Sequence, residues 1–171
     1  MTQVMYQNLF SESRNNVVAL INSSNVPDPT VSSSEFRKWV YSRQPDVKDA
    51  GFKGYPFLVV NPADVDIESE KGMASLDGKS KKVYWDIEIE IVTSDRGYGE
   101  GDGKGLSHMD SISNSLVKTF QSMTNRKTLS TNSMKFATVT TTSVNTEIME
   151  NELVYKRSIM LGFESRIQVS A

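Results

Sequence analysis

The chain of 171 residues is long enough to bury one core and short for two, so a single domain over 1–171 is expected. With 37% hydrophobic residues, 23% charged residues and a net charge of −2, it has the balance of a soluble globular protein and no basic excess of the kind a nucleic-acid-binding domain carries. It contains no cysteine, which excludes disulfides, thiolate catalysis and sulfur-ligated zinc.

The opening "MTQVMYQNLFSESR" lacks a basic region followed by an apolar stretch, and apolar runs such as "FLVV" at 57–60 fall far short of the roughly 20 residues that span a bilayer. A cytoplasmic protein with no membrane partner is expected. Tyr6, Leu9, Phe10, Val17, Leu20 and Ile21 recur near helical spacing and predict a first helix, ended by the turn formers and prolines of "NSSNVPDP". "SSSEFRKWVYSRQPD" carries a serine cap and Phe36, Trp39 and Val40 on one side, compatible with a short helix before Pro45 or with an extended segment. "YPFLVVNPADVDIE" is β-branched and aromatic with prolines at its ends, which predicts a strand at an edge or terminus. The glycine- and lysine-rich "SEKGMASLDGKSKK" has almost nothing to bury and predicts a mobile arm or loop at about 69–82.

"VYWDIEIEIV" is the clearest signal in the chain. Val83, Trp85, Ile87, Ile89 and Ile91 share one face and Tyr84, Asp86, Glu88 and Glu90 the other, the pattern of a half-buried antiparallel strand with an acidic outer side. After a glycine-rich stretch, Leu106, Met109, Ile112, Leu116, Phe120 and Met123 define an amphipathic helix of about five turns. "MKFATVTTTSVNTE" and "NELVYKRSIMLGFESRIQV" then read as two long strands paired through "NTEIMEN", the second with Leu153, Tyr155, Ile159, Leu161, Phe163 and Ile167 on one side. The order predicts an α+β domain: a mostly antiparallel sheet of about four or more strands, with two main helices on one face.

Each constellation that could carry chemistry has a plainer reading. The glycines from Gly97 to Gly105 fall on alternate positions, which fits neither G-x-G-x-x-G nor G-x-x-x-x-G-K-[ST], and a strand-to-helix joint over 95–105 accounts for them. Asp86, Glu88 and Glu90 are spaced about 7 Å apart along a strand face and diverge, whereas a hard cation needs converging oxygens; no metal is expected there. Asp64 followed by Asp77-Gly78-Lys79 is a loose match to a metal-dependent nuclease pattern and stands as the enzymatic alternative. Ser107, His108 and Asp110 are neighbours on a helix and cannot converge as a triad, so His108 is expected at a helix surface or cap. Lys71, Lys79, Lys81 and Lys82, with Lys53 nearby, form a solvated arm or one that orders on docking. No catalytic residue and no cofactor is expected.

The layout of an N-terminal helix, the strand "YPFLVV", an arm, "VYWDIEIEIVTSD", a glycine break, the helix "LSHMDSISNSLVKTF" and closing strands with "YKRSIMLGFES" resembles the tail terminator (tail completion) proteins of long-tailed bacteriophages. The resemblance runs from about Tyr6 to Val169 and extends to related neck and tail-tube proteins. It implies a structural virion protein, not an enzyme: a homo-oligomeric ring, commonly a hexamer, that caps the tail tube, ends its polymerisation and meets the head connector, in the virion and in host cytoplasm during assembly. DNA would pass through the ring without specific binding. Asp86, Glu88 and Glu90 would then line the channel or a ring surface, and the lysine arm would dock a neighbour.

Overall fold

The computed structural model describes residues 2–30, 37–46, 48, 52, 54–67, 80–96, 103–131, 134–149 and 151–168. Among them run helix α1 (Thr2–Leu20), closed by a π-helical turn at Ile21–Asn25; strands β1 (Val40–Tyr41), β2 (Phe57–Val60), β3 (Asp64–Ile67) and β4 (Ser80–Ser94); helices α2 (Gly105–Gln121) and α3 (Met123–Leu129); and strands β5 (Met134–Thr141), β6 (Asn145–Met149) and β7 (Glu152–Gln168).

Two long strands form the spine. β4 and β7 pair antiparallel without interruption from Ser80↔Gln168 to Ser94↔Val154. Because β4 alternates from Val83 to Ile91, a one-residue slip would carry Ile87, Ile89 and Ile91 to the wrong face, which holds the register. The other side of β4 is shared by two short strands, β3 opposite Val83–Asp86 and β2 opposite Ile89–Val92. The other side of β7 is likewise shared by β5 and β6. β1 adds to β2 in parallel, in an otherwise antiparallel sheet. The α+β class, the mostly antiparallel sheet and the one-sided helical cover agree with the sequence pattern.

The core lies between one sheet face and the helices. Trp85, Ile87, Ile89 and Ile91 of β4 and Ile159, Leu161 and Phe163 of β7 meet Val17 and Ile21 at one side and Met109, Ile112, Leu116 and Phe120 of α2 at the other. Trp85 stacks on Phe163 with ring centroids 5.7 Å apart and takes the edge of Phe10 at 5.1 Å. Its indole N–H donates to Ser13 Oγ at 2.9 Å, which satisfies a polar atom that burial would otherwise leave unpaired.

Several predicted boundaries move. "YPFLVVNPADVDIE" is two strands, because Pro62 has no N–H to donate and the chain leaves β4's ladder at Asn61, whose N–H bonds Glu88 O at 2.9 Å. Arg14 of α1 reaches across to the last carbonyl of β2, with Nε and Nη2 at 3.1 and 2.8 Å from Val60 O. "MKFATVTTTSVNTE" is also two strands, broken at Thr142–Val144, where Thr142 and Ser158 exchange hydrogen bonds in place of ladder pairing. Of the alternative short helix or extended segment before Pro45, Val40–Tyr41 is extended as β1; residues 31–36 lie outside the described residues. Met123 is not on α2's core face: it opens the separate helix α3 and is exposed, and Leu106 at the other end of α2 is exposed as well. The helical period was legible, but the buried face of α2 runs through Gly105, His108, Met109, Ile112, Leu116 and Phe120, with Leu106 off it and Met123 beyond the end of the helix.

Candidate interaction surface

The sheet has two unlike faces. On the face away from the helices, β4 presents Asp86, Glu88 and Glu90 in a row, as its alternation requires. Asp86 is exposed and lies directly opposite Asp64 of β3 on one side and Gly162 of β7 on the other. A side chain at 162 would collide with Thr138 Oγ1 of β5, so β5 passes close to β7 here and leaves Asp86 its room. Glu88 is held in place: its Oε1 accepts from Ser158 Oγ and its Oε2 accepts from Asn61 Nδ2 at 3.0 Å. Glu90 lies 4.0 Å from Lys156 Nζ, which makes a closer pair with Glu147 at 3.0 Å.

Although Asp86 stays open to solvent, partial desolvation on the sheet face is the main cause that raises its carboxyl above its ordinary range, with the charge of Asp64 adding to it. Burial likewise raises Glu90; Lys156 opposes the shift, while Glu88 and Glu147 reinforce it. The row is thus a set of like charges braced side by side on a flat two-strand platform. It does not gather into a cluster, and among the described residues no group of three or more His, Asp or Glu side chains could hold a metal ion.

One end of the same face is apolar. Phe57 and Val59 of β2, Val92 and Val154 are buried beneath Tyr55, with Tyr41, Phe52 and Met149 packed around them. The sequence carried a signal for this second cluster that the pattern reading did not use: β2 is buried at all four positions, as a strand covered on both faces must be. The segment that covers it is anchored by a buried ion pair. Arg37 Nε and Nη2 each donate to Asp28 Oδ2 at 2.7 Å, and Arg37 also donates to Gly54 O at 2.8 Å and Pro56 O at 2.6 Å. Neither residue is conspicuous in the sequence, since their separation says nothing of their meeting.

The predicted lysine arm is only partly in view. Lys71 and Lys79 lie outside the described residues, as does the rest of 68–79. Ser80, Lys81 and Lys82 belong to β4 and not to a loop, because β7 extends far enough to pair with them. Lys82 reaches Glu164 at 3.4 Å, with Lys135 on the same carboxylate at 3.5 Å, and lies over the Tyr84 ring at 5.0 Å. The nuclease candidate is divided in the same way: Asp64 faces Asp86 across β3 and β4, whereas Asp77 and Lys79 are outside the described residues.

The described residues that flank the glycine stretch are tied to one another, while 97–102 lie outside the described residues. Asp95 Oδ1 accepts from the N–H of Gly105, the first residue of α2, at 3.1 Å, while Thr93 Oγ1 donates to Gly105 O at 2.7 Å. Tyr155 Oη donates to Asp95 Oδ2 at 3.2 Å and completes the clasp. Gly105 is required there for space: a Cβ would lie 2.8 Å from both Asp95 Oδ1 and the Tyr155 ring and 2.9 Å from the Ser94 carbonyl carbon. Gly103 has a different reason, a φ of +69° in open space. His108 is buried, not at a surface or cap, because α2 leans its first turn onto the sheet; its Nδ1 has no hydrogen-bond partner among the described residues. Asp110 is exposed and faces Arg157 at 3.7 Å, so Ser107, His108 and Asp110 form no triad.

No protein-family model matches the chain, and no curated protein does. Solved structures match it, among them a chain from the "Virion of native gene transfer agent (GTA) particle", with 15% sequence identity, 89% of this chain and 84% of that chain covered, and a TM-score of 0.37. At that TM-score the likeness supports no statement about fold or role.

Proposed function

We propose that this chain is a structural subunit of a phage-like virion, a tail terminator that assembles into a ring, commonly of six copies, which caps the tail tube and meets the head connector. The observation that carries the reading is the acidic row Asp86, Glu88 and Glu90 on the sheet face that no described helix covers. Asp86 is open to solvent opposite Asp64, and desolvation and like charge hold Asp86 and Glu90 above their ordinary range. An acidic stripe on an uncovered sheet face suits a surface whose charge is used, and a channel wall that repels passing DNA is such a use. The paired strands β4 and β7 give the stiff platform such a wall needs.

The test is the solution mass of the purified protein by light scattering over a range of concentrations, with negative-stain images, alone and with tail tubes. Rings, or monomers that become rings on tube ends, support the reading. Open polymers would replace the terminator with a tube subunit, and a monomer indifferent to tubes at every concentration would overturn it.

A further inference from the structure

We propose that β3 is a releasable strand: hinged at Pro62, it lifts from β4 as a unit while the rest of the sheet stays closed. Among the described residues β3 pairs with β4 alone. The β3 side chains that are described, Asp64 and Val65, are both exposed, so neither adds buried apolar surface to the backbone hydrogen bonds that hold the strand. Edge hydrogen bonds with little buried beneath them mark a segment that opens well before the whole fold does.

The chain is fixed immediately before β3. Asn61 donates its N–H to Glu88 O at 2.9 Å and its side-chain amide to Glu88 Oε2 at 3.0 Å, and Arg14 donates to Val60 O from both Nε and Nη2. Pro62 follows, exposed and with no N–H to tie it. The register changes across this joint: Val60 lies opposite Ile89 but Asp64 lies opposite Asp86, so the chain takes four steps where β4 takes three. β2 and β3 are therefore separate ladders on one edge of β4, and one can open without the other. Release bares the N–H and C=O groups of Tyr84 and Asp86 at the end of the acidic row.

One pair in the β3 ladder works against closure. Asp64 and Asp86 are direct cross-strand partners, and like charges so placed are destabilising. Partial desolvation and then the charge of Asp64 raise the Asp86 carboxyl above its ordinary range. Lysines of the same sheet face are paired elsewhere, Lys82 and Lys135 with Glu164 and Lys156 with Glu147.

The direction of the β4 hydrogen bonds supplies the test. Glu88 O accepts from Asn61 on the β2–β3 side, so by strand alternation Tyr84 and Asp86 bond to β3 while Val83 and Trp85 bond to β7. Hydrogen exchange of the full chain at pH 7, resolved to single amides, should show a sawtooth along β4: Tyr84 and Asp86 protected about tenfold less, or weaker still, than Val83 and Trp85. Asp64→Asn removes one charge of the pair and should raise protection at Tyr84 and Asp86 about two- to fivefold, leaving Val83 and Trp85 unchanged. Uniformly high protection from Val83 to Asp86 would overturn the release. Uniformly low protection would overturn it too, because the end of β4 would then part from β7 as well. A sawtooth that Asp64→Asn does not move would overturn the charge pair as its bias.

Discussion

Arg37→Met removes the cation that fastens the covering segment of the outer apolar cluster. Among the described residues the guanidinium makes four short donations, two to Asp28 Oδ2 and one each to Gly54 O and Pro56 O, and the side chains of Arg37 and Asp28 are only 3% and 4% exposed. Methionine preserves much of the volume but leaves a buried carboxylate whose remaining donors among the described residues are Thr30 N–H and Oγ1, together with two carbonyls that lose the Arg37 donors. Breaking one side of a buried pair costs about 3–5 kcal/mol. In a domain of this size each kcal/mol moves the melting temperature by about 2–4 °C, so a fall of roughly 6–20 °C is expected. The assay is thermal and urea denaturation followed by circular dichroism at one fixed protein concentration, for Arg37→Met, Asp28→Asn and the double variant. The double variant should lose less than the sum of the two single losses, because the neutral pair strands no charge. A loss under about 1 kcal/mol for Arg37→Met, or strict additivity in the cycle, would refute the anchoring role.

Gly105→Ala should destabilise by about 1–3 kcal/mol through overpacking against Ser94, Asp95 and Tyr155, while Gly103→Ala loses about 1–2 kcal/mol through its left-handed φ alone; equal stability of Gly105→Ala and wild type in urea melts would show that the clasp yields. Ser13→Ala leaves the Trp85 indole N–H unpaired in the core, and a loss of about 1–3 kcal/mol is expected, read by the same melts with a change in tryptophan fluorescence. For the acidic row the sign runs the other way. Asp86 and Glu90 titrate higher in the folded chain than in the unfolded one, so between the two values the folded state holds more protons, and stability rises as pH falls through that window. Asp86→Asn and Glu90→Gln should therefore melt at or above wild type at pH 7, with the advantage gone once both states are protonated below about pH 4; lower melting at pH 7 would show that the row holds the subunit together.

The faces of the long elements were determined by the sequence alone. Strict alternation from Val83 to Ile91 leaves one arrangement in which the isoleucines are dry, and it places Asp86, Glu88 and Glu90 on the opposite side whatever surrounds the strand. The three- and four-residue steps of Met109, Ile112, Leu116 and Phe120 did the same for α2. Tertiary structure decided what periodicity cannot express. Where an element stops depends on how far its neighbour reaches: Ser80, Lys81 and Lys82 lie in β4 because β7 pairs with them, and Met123 is wet because α2 ends before it and α3 begins there. The union of Asp28 with Arg37, the clasp of Asp95 on Gly105 and the burial of His108 were decided there too. Each depends on segments distant in sequence meeting in space, and a local pattern records which face a residue takes but not which residue it will find there.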